Sequence, residues 1–140
     1  MKVELETIEP ATKSPFRLLH DPKLSHLFYW HFHPEYEIVY IEGANGTRHV
    51  GDHISEYEEN DLVLIGSNIP HLNFDYGVKT TYREEVLHIK PSFKNTYVDP
   101  IPELQSLNRL LDLSRYGIAF HGNTKKEVGE MLKELHTLKP

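Results

Sequence analysis

The feature that most constrains this chain is a change in hydrophobic periodicity near Pro100. Before Pro100, short segments rich in aromatic and β-branched residues, such as 27–41 and 84–90, are separated by Gly, Asn, Asp and Pro. These residue types favour strands, and many short strands with turn residues between them are typical of an all-β sandwich or barrel. The first part of the chain is therefore predicted to be β.

After Pro100 the apolar spacing becomes helical. The first apolar face consists of Leu104, Leu107, Leu110 and Leu111. Gly117, which follows it, is a typical residue at which a helix ends. The second follows the capping-box pair Thr124 and Glu127 and consists of Val128, Met131, Leu132, Leu135 and Leu138. We expect a mainly β fold with two C-terminal α-helices, divided into a β-unit over 1–95 and a helical extension over 96–140 of the same structural unit.

The charge and cysteine content exclude several classes of function. The 140 residues include 15 basic and 21 acidic side chains, a net charge of −6 that argues against direct nucleic-acid binding. The absence of cysteine excludes disulfides and thiolate zinc sites and suits a reducing compartment, so we expect a cytoplasmic protein. The acidic N-terminus with Pro10 does not resemble a signal peptide, and no apolar run predicts contact with a membrane.

Histidine is abundant, and six of the ten histidines fall between His26 and His71. In an unbroken strand, His31, His33 and Glu37 share one face, although Pro34 interrupts the ladder. The segment NIPHLNF places His71 after a turn, at the start of another strand. Three imidazoles and a carboxylate converging from two strands suit a divalent transition metal.

These spacings resemble the two motifs of the cupin family of small β-barrels. The first motif is matched by HFHPEYE followed by Gly43, and the second by Pro70, His71 and Asn73. The second match departs from the pattern because the glycine usual just before this histidine is missing. The resemblance implies a site for Zn, Ni, Mn or Fe with the ligands His31, His33, Glu37 and His71.

A closer resemblance, to the N-terminal half of AraC-type transcription regulators, extends over nearly the whole chain. It is carried by HFHPEYEIVYIEGANG, DLVLIGSNIPH, LLDLSRYGIAFHG and the helix at 124–138. It implies a cupin-type β-barrel, a double-stranded β-helix, that binds a small effector such as a sugar, followed by the two helices. In that family a separate helix-turn-helix domain contacts DNA, so we expect this chain to be a fragment of a longer regulator.

The resemblance also implies an effector site and a dimer. Some further residues lie on the same strand face as the motif histidines or close to the motifs in the sequence. The predicted effector contacts are therefore Tyr29, His31, His33, Glu37, Arg48, His71 and Asn73. Without a metal, the same motif residues would form a polar pocket for an organic effector. The homodimer is expected to pair through the last helix, at Val128, Met131, Leu132 and Leu135, unless this stripe packs on the barrel instead.

Two other functions remain open. A metal-dependent cupin enzyme, a dioxygenase or isomerase, would use His31, His33, Glu37 and His71, with Glu35 and Tyr36 near enough for acid–base roles. The other possibility is a cupin that binds a sugar or another partner but does not change conformation to regulate anything. Among the remaining histidines, His88 is compatible with either face of its strand. The histidines expected to be solvated are His26, His49, His53, His121 and His136.

Overall fold

The computed structural model describes residues 3–5, 14–22, 30–72, 78 and 80–138 of the chain. Within these ranges there are nine strands: β1 (Val3–Leu5), β2 (Phe16–His20), β3 (Trp30–Phe32), β4 (Tyr36–Glu42), β5 (Gly46–Val50), β6 (His53–Tyr57), β7 (Asn60–Ile65), β8 (Arg83–Ile89) and β9 (Ile118–Ala119). The helices are the single turn α1 (Pro91–Phe93), α2 (Gln105–Leu113) and α3 (Asn123–Leu135). A π-helical turn covers Lys94–Val98, and two 3-10 turns cover Pro102–Leu104 and Ser114–Tyr116.

One layer is a five-stranded antiparallel sheet in the order β2-β8-β4-β7-β9. Its centre is β4, which pairs with β8 on one side and β7 on the other, so that Val39 lies opposite both Val86 and Val63. Most residues of β4 and β7 are apolar, and residues on both faces of these strands are buried. The register of β4 sets which residues face the interior of the domain.

The second layer contains β1, β3 and the β5–β6 hairpin, with His71 between them. β1 pairs with β3 in parallel, whereas β5 and β6 form an antiparallel hairpin. His71 bridges both pieces, because it makes isolated β-bridges with His31 of β3 and Val50 of β5. No strand pairing among the described residues joins the two layers into a closed barrel.

Alternate residues of the five-stranded sheet divide the core in two, as the period of two in a strand requires. Between the layers lies a buried cluster of Val39, Val50, Val63, Ile65 and Val86. On the opposite face of the sheet, Tyr36 and Ile89 pack with Leu111 of α2, and Tyr40 and Leu62 pack with Leu132 of α3. The helices therefore cover the outer face and leave the interior to the strands.

α3 approaches the sheet closely because it carries Gly129 at the contact. A Cβ atom at this position would lie 2.4 Å from the ring of Tyr40, so only a hydrogen atom fits. Nearby, Lys133 Nζ lies 2.9 Å from Glu42 Oε1, and the Tyr40 hydroxyl donates to Glu42 Oε2 at 2.7 Å. Burial and this hydrogen bond raise the pKa of Tyr40 to about 12, so the hydroxyl stays protonated at neutral pH.

The structure is mixed and strand-rich with C-terminal helices, which confirms this part of the expected fold, whereas the closed barrel stays a prediction. α2 and its 3-10 extension end at Gly117, as expected, where φ is +72°. The predicted capping box is wrong, since α3 begins at Asn123 after Gly122 and no side chain caps its first turn. Sequence periodicity also missed β9, a two-residue strand that returns to pair with β7 after α2. In the part of the chain that the structure describes, every helix is too short or too polar to cross a bilayer.

Candidate functional site

Three histidine side chains meet inside the domain where the two layers approach each other. His31, His33 and His71 are 3%, 1% and 1% exposed. Their ligand nitrogens lie within 4.8 Å of one another. The backbone bridge explains the proximity, because His31 and His71 each donate an N–H to the other's carbonyl, at 3.1 and 2.9 Å. A strand pairing therefore places two residues forty positions apart side by side.

Glu37 of β4 faces this cluster from the other layer. Its Oε1 lies 3.3 Å from His33 Nε2, and its Oε2 lies 3.6 Å from His71 Nε2. Oε1 also lies 2.8 Å from Nε2 of His88, the residue opposite Glu37 in the β4–β8 register. A single buried carboxylate is thus surrounded by three imidazoles.

Backbone carbonyls fix which ring nitrogens point at Glu37. Nδ1 of His33 donates to the carbonyl of Glu35 at 3.0 Å, and Nδ1 of His71 donates to that of Ile69 at 2.8 Å. A carbonyl only accepts, so each Nδ1 carries the hydrogen and each Nε2 is turned toward Glu37. His71 Nε2 has no hydrogen-bond partner among the described residues. A proton or a metal ion is needed between these nitrogens and the carboxylate.

The surroundings keep Glu37 ionised in spite of its burial. Burial alone would raise the pKa of Glu37, but the charge of His71 and the hydrogen bond with His88 outweigh it. The pKa is held well below its usual range. The cluster therefore combines an ionised carboxylate with imidazole nitrogens, the donor types of a cation site.

The donor set fits a divalent transition metal. His31, His33 and His71 supply imidazole nitrogens, and Glu37 supplies a carboxylate oxygen, the ligand types preferred by Zn, Mn, Fe and Ni. The Nδ1–H to carbonyl contacts of His33 and His71 are the outer-shell arrangement that orients metal-binding histidines.

The structure brings together four of the residues expected at the site: His31, His33, Glu37 and His71. Tyr29 and Asn73 lie outside the described residues. Sequence reasoning missed the part played by His88, whose alternation with Leu87 and Ile89 is compatible with either face. The signal that decides its direction is its register opposite Glu37, which only the folded sheet provides.

Three aromatic residues near the first histidine motif are buried or half-buried. Tyr36 and Tyr40 are 9% and 2% exposed and pack beneath the helices, away from the histidines. Trp30 is half-buried and packs against His49, with ring centroids 5.2 Å apart. Core packing therefore accounts for the two tyrosines.

Arg48 lies at the other end of the interior, paired with Asp61. Its Nε and Nη2 donate to the two carboxylate oxygens of Asp61 at 2.6 and 3.0 Å, and its Nη1 donates to Ser55 Oγ at 2.6 Å. Asp61 lies opposite Ile41, four residues along β4 from Glu37, which is ~13 Å at the usual rise of a strand. The valine cluster between the layers separates the two polar ends.

A partly open cavity of about 280 Å³ adjoins the Arg48 end. Polar groups of Arg48, His53 and Ser55 lie on the hairpin side. The cavity is completed by Val50, Ile54, Val63, Tyr116, Gly117 and Ala119. Tyr116 and Ile54 are 59% and 67% exposed, so a large ring and an aliphatic side chain stand at the opening. A few placed polar groups in an otherwise apolar wall are typical of a small-molecule pocket.

Comparison with known families agrees with this geometry. The profile of one family, the AraC-like ligand binding domain, matches residues 13–137. The chain belongs to this family. It is therefore a ligand-binding domain of the kind found in AraC-family regulators, as the motifs around His31 and His71 led us to expect. No curated protein and no solved structure was found to match the chain.

The Arg48–Asp61 pair of this AraC-like domain gives a testable energetic expectation. Arg48→Met leaves the Asp61 carboxylate, 1% exposed, without its cation, and should lower the free energy of unfolding by about 3–5 kcal/mol. The double variant Arg48→Met/Asp61→Leu removes both charges and should recover most of this loss in urea unfolding. Ser55→Ala, which deletes only a neutral partner of Arg48, is the control and should cost about 1 kcal/mol. Equal losses in the single and double variants would show that the charges are not coupled.

Proposed function

We propose that this AraC-like domain is the sensor of a transcription regulator and that its effector is a polyhydroxylated molecule of about monosaccharide size. The observation that carries the proposal is the cavity beside Arg48, Ser55 and Tyr116. DNA would be contacted by a separate domain, since this acidic chain with a net charge of −6 is poorly suited to binding phosphates.

The polar wall supports a hydroxylated ligand. Arg48 is held by both oxygens of Asp61, so its guanidinium keeps one orientation and presents fixed donors. Ser55 and His53 add groups that both donate and accept, which matches the dual character of a hydroxyl group.

The size and the apolar wall support the same class of ligand. A volume of about 280 Å³ lies just below the ~300–1,000 Å³ usual for small-molecule pockets and favours a small effector. Tyr116 offers a mostly exposed ring at the opening, on which the apolar face of a sugar can stack.

The cavity also supports a switch, because its wall includes the segment that connects α2 to α3. Tyr116, Gly117 and Ala119 lie in this segment, and α3 begins at Asn123. An effector that contacts these residues would have different affinities for conformations of the domain that differ in the position of α3. Differential binding of this kind is what shifts a conformational equilibrium.

The effector proposal is tested by thermal unfolding against a panel of monosaccharides and hydroxy acids. A ligand at about 100 times its Kd stabilises the native state by about 2.7 kcal/mol, which raises the melting temperature measurably. Tyr116→Ala should weaken its binding at least ~10-fold, whereas Tyr97→Ala, at a tyrosine 55% exposed outside the cavity, should bind as wild type. The proposal fails if no member of the panel stabilises the protein, or if Tyr116→Ala binds it unchanged.

Self-association through α3 belongs to the same proposal. Of the four residues predicted at the dimer interface, Val128 and Leu132 pack inward against Tyr40 and Leu62. Met131 and Leu135 are 61% and 41% exposed on the outer face of α3, and Leu138, at 61%, lies just beyond the end of this helix. An isologous pairing of this outer face would bury the exposed apolar side chains without disturbing the inner contacts.

The double variant Met131→Glu/Leu135→Glu should remain folded and sediment as a monomer where the wild type sediments as a dimer, because it places four like charges in the paired interface. Leu113→Glu, at a residue 50% exposed on α2, is the matched control and should leave the dimer intact. A dimer that survives the double substitution would place the interface elsewhere.

A metal-dependent enzyme is the second candidate, favoured by the buried group of His31, His33 and His71 with Glu37. A bound metal would polarise a substrate or activate oxygen, and these four residues would hold it. For either function we expect one transition metal ion at this cluster. Elemental analysis should find one ion fewer in the double variant His33→Gln/His71→Gln than in the wild type. Oxygen uptake or isomerisation by the metal-loaded wild type that is absent in this variant would favour the enzyme. Metal binding without turnover would favour the sensor.

A further inference from the structure

A second group of imidazoles and a carboxylate lies where the C-terminal end of α3 meets β2 and β8. Glu85 of β8 is 1% exposed, and its Oε1 contacts Nδ1 of His20 on β2 and lies 3.7 Å from Nδ1 of His136. His136 is the residue that caps α3. The three ligand atoms lie within 4.8 Å of one another, so three elements remote in sequence present two nitrogens and one oxygen to a common point.

Glu85 needs a positive charge from within this group. A buried carboxylate is costly unless it is paired, yet in the described part of the chain Glu85 has no lysine or arginine partner. Its Oε2 has no hydrogen-bond partner among the same residues. Lys133 of α3 pairs with Glu42 and Glu130 instead.

The two imidazoles stand side by side next to the same carboxylate oxygen. The rings of His20 and His136 lie 3.9 Å apart and 17° from parallel, and two positively charged rings at that distance would repel each other. A proton between His20 and Glu85 would balance the carboxylate charge without any contact from His136. A metal ion would use both Nδ1 atoms, and because an imidazole binds a metal in the plane of its ring, one of the two stacked rings would have to turn to reach it.

Asp21 completes the arrangement behind His20. Its Oδ2 lies 3.4 Å from Nε2 of His20, the ring nitrogen turned away from Glu85. A carboxylate behind a metal-binding histidine orients the ring and makes it a better ligand. The group therefore has both a ligand set and an outer-shell support.

We infer that His20, Glu85 and His136 form a second site for a divalent transition metal such as Zn²⁺, distinct from the cluster around Glu37. Zinc bonds of ~2.0–2.1 Å require ligand atoms ~3.3 Å apart, so the three groups must close around the ion and one imidazole must turn out of the stack. His20 and His136 are 38% and 33% exposed and have room to do so, and a water molecule would complete the coordination. The inference does not depend on the effector proposed above.

Such a site would fasten the end of α3 to the sheet. Most of the apolar anchoring of α3 comes from Val128 and Leu132, whereas Leu135 and Leu138 beyond them are exposed. A metal bound by His136 would hold this last turn against β2 and β8. Zinc would thereby stabilise the helix that presents the outer apolar face.

The test is zinc stoichiometry of the full 140-residue chain by equilibrium dialysis and elemental analysis. The wild type should bind one more ion than His136→Gln or His20→Gln, whatever the occupancy of the Glu37 cluster. Asp21→Asn, which keeps the Oδ1 acceptor of the Glu84 N–H, should retain the ion with ~10-fold weaker affinity. Zinc should also slow amide hydrogen exchange in residues 133–138 of the wild type and not of His136→Gln.

His121→Gln is the matched control, because this histidine is exposed and outside the group. It should bind the same number of ions as the wild type. Equal stoichiometry in the wild type, His20→Gln and His136→Gln would overturn the inference and assign the charge beside Glu85 to a proton. Loss of one ion in His121→Gln as well would assign the extra zinc to surface histidines and would equally overturn it.

Discussion

The arrangement of this domain depends on one backbone pairing, the two hydrogen bonds between His31 and His71. Because His71 also forms a β-bridge with Val50 of β5, these bonds link the β1–β3 pair to the β5–β6 hairpin in one layer. The same pairing holds the two imidazoles with ring centroids 4.3 Å apart, and His71 faces the carboxylate of Glu37. Fold and candidate metal centre therefore rest on the same contact, because a pairing that closes a layer also sets the direction of its side chains.

The interior separates two kinds of polar chemistry. At one end, Glu37 and its imidazoles are buried and their tautomers are set by backbone carbonyls, which suits a rigid cation site. At the other end, Arg48 and Asp61 border a partly open cavity, which suits an exchangeable ligand. The apolar cluster of Val39, Val50, Val63, Ile65 and Val86 lies between the layers and separates the two polar ends.

α3 is where these features converge. Its inner face packs on Tyr40 and Leu62, its outer face is exposed, and its capping residue His136 stacks on His20. The segment before it forms one wall of the cavity. In this arrangement, an effector in the cavity, a metal at Glu85 and a second copy of the chain would all act on the position of one helix, which is the requirement for coupling between sites.

The sequence by itself determined the strand-rich first part, the two helical apolar faces and the identity of three histidines clustered with Glu37, since periodicity and motif spacing are local properties. It could not assign His88, whose direction follows from its register opposite Glu37, or Arg48, whose partner Asp61 lies thirteen residues away on another strand. It also could not divide the last apolar stripe into buried Leu132 and exposed Met131. Those outcomes were decided only by tertiary structure, because they depend on which strands and helices pack together, and no local pattern records that choice.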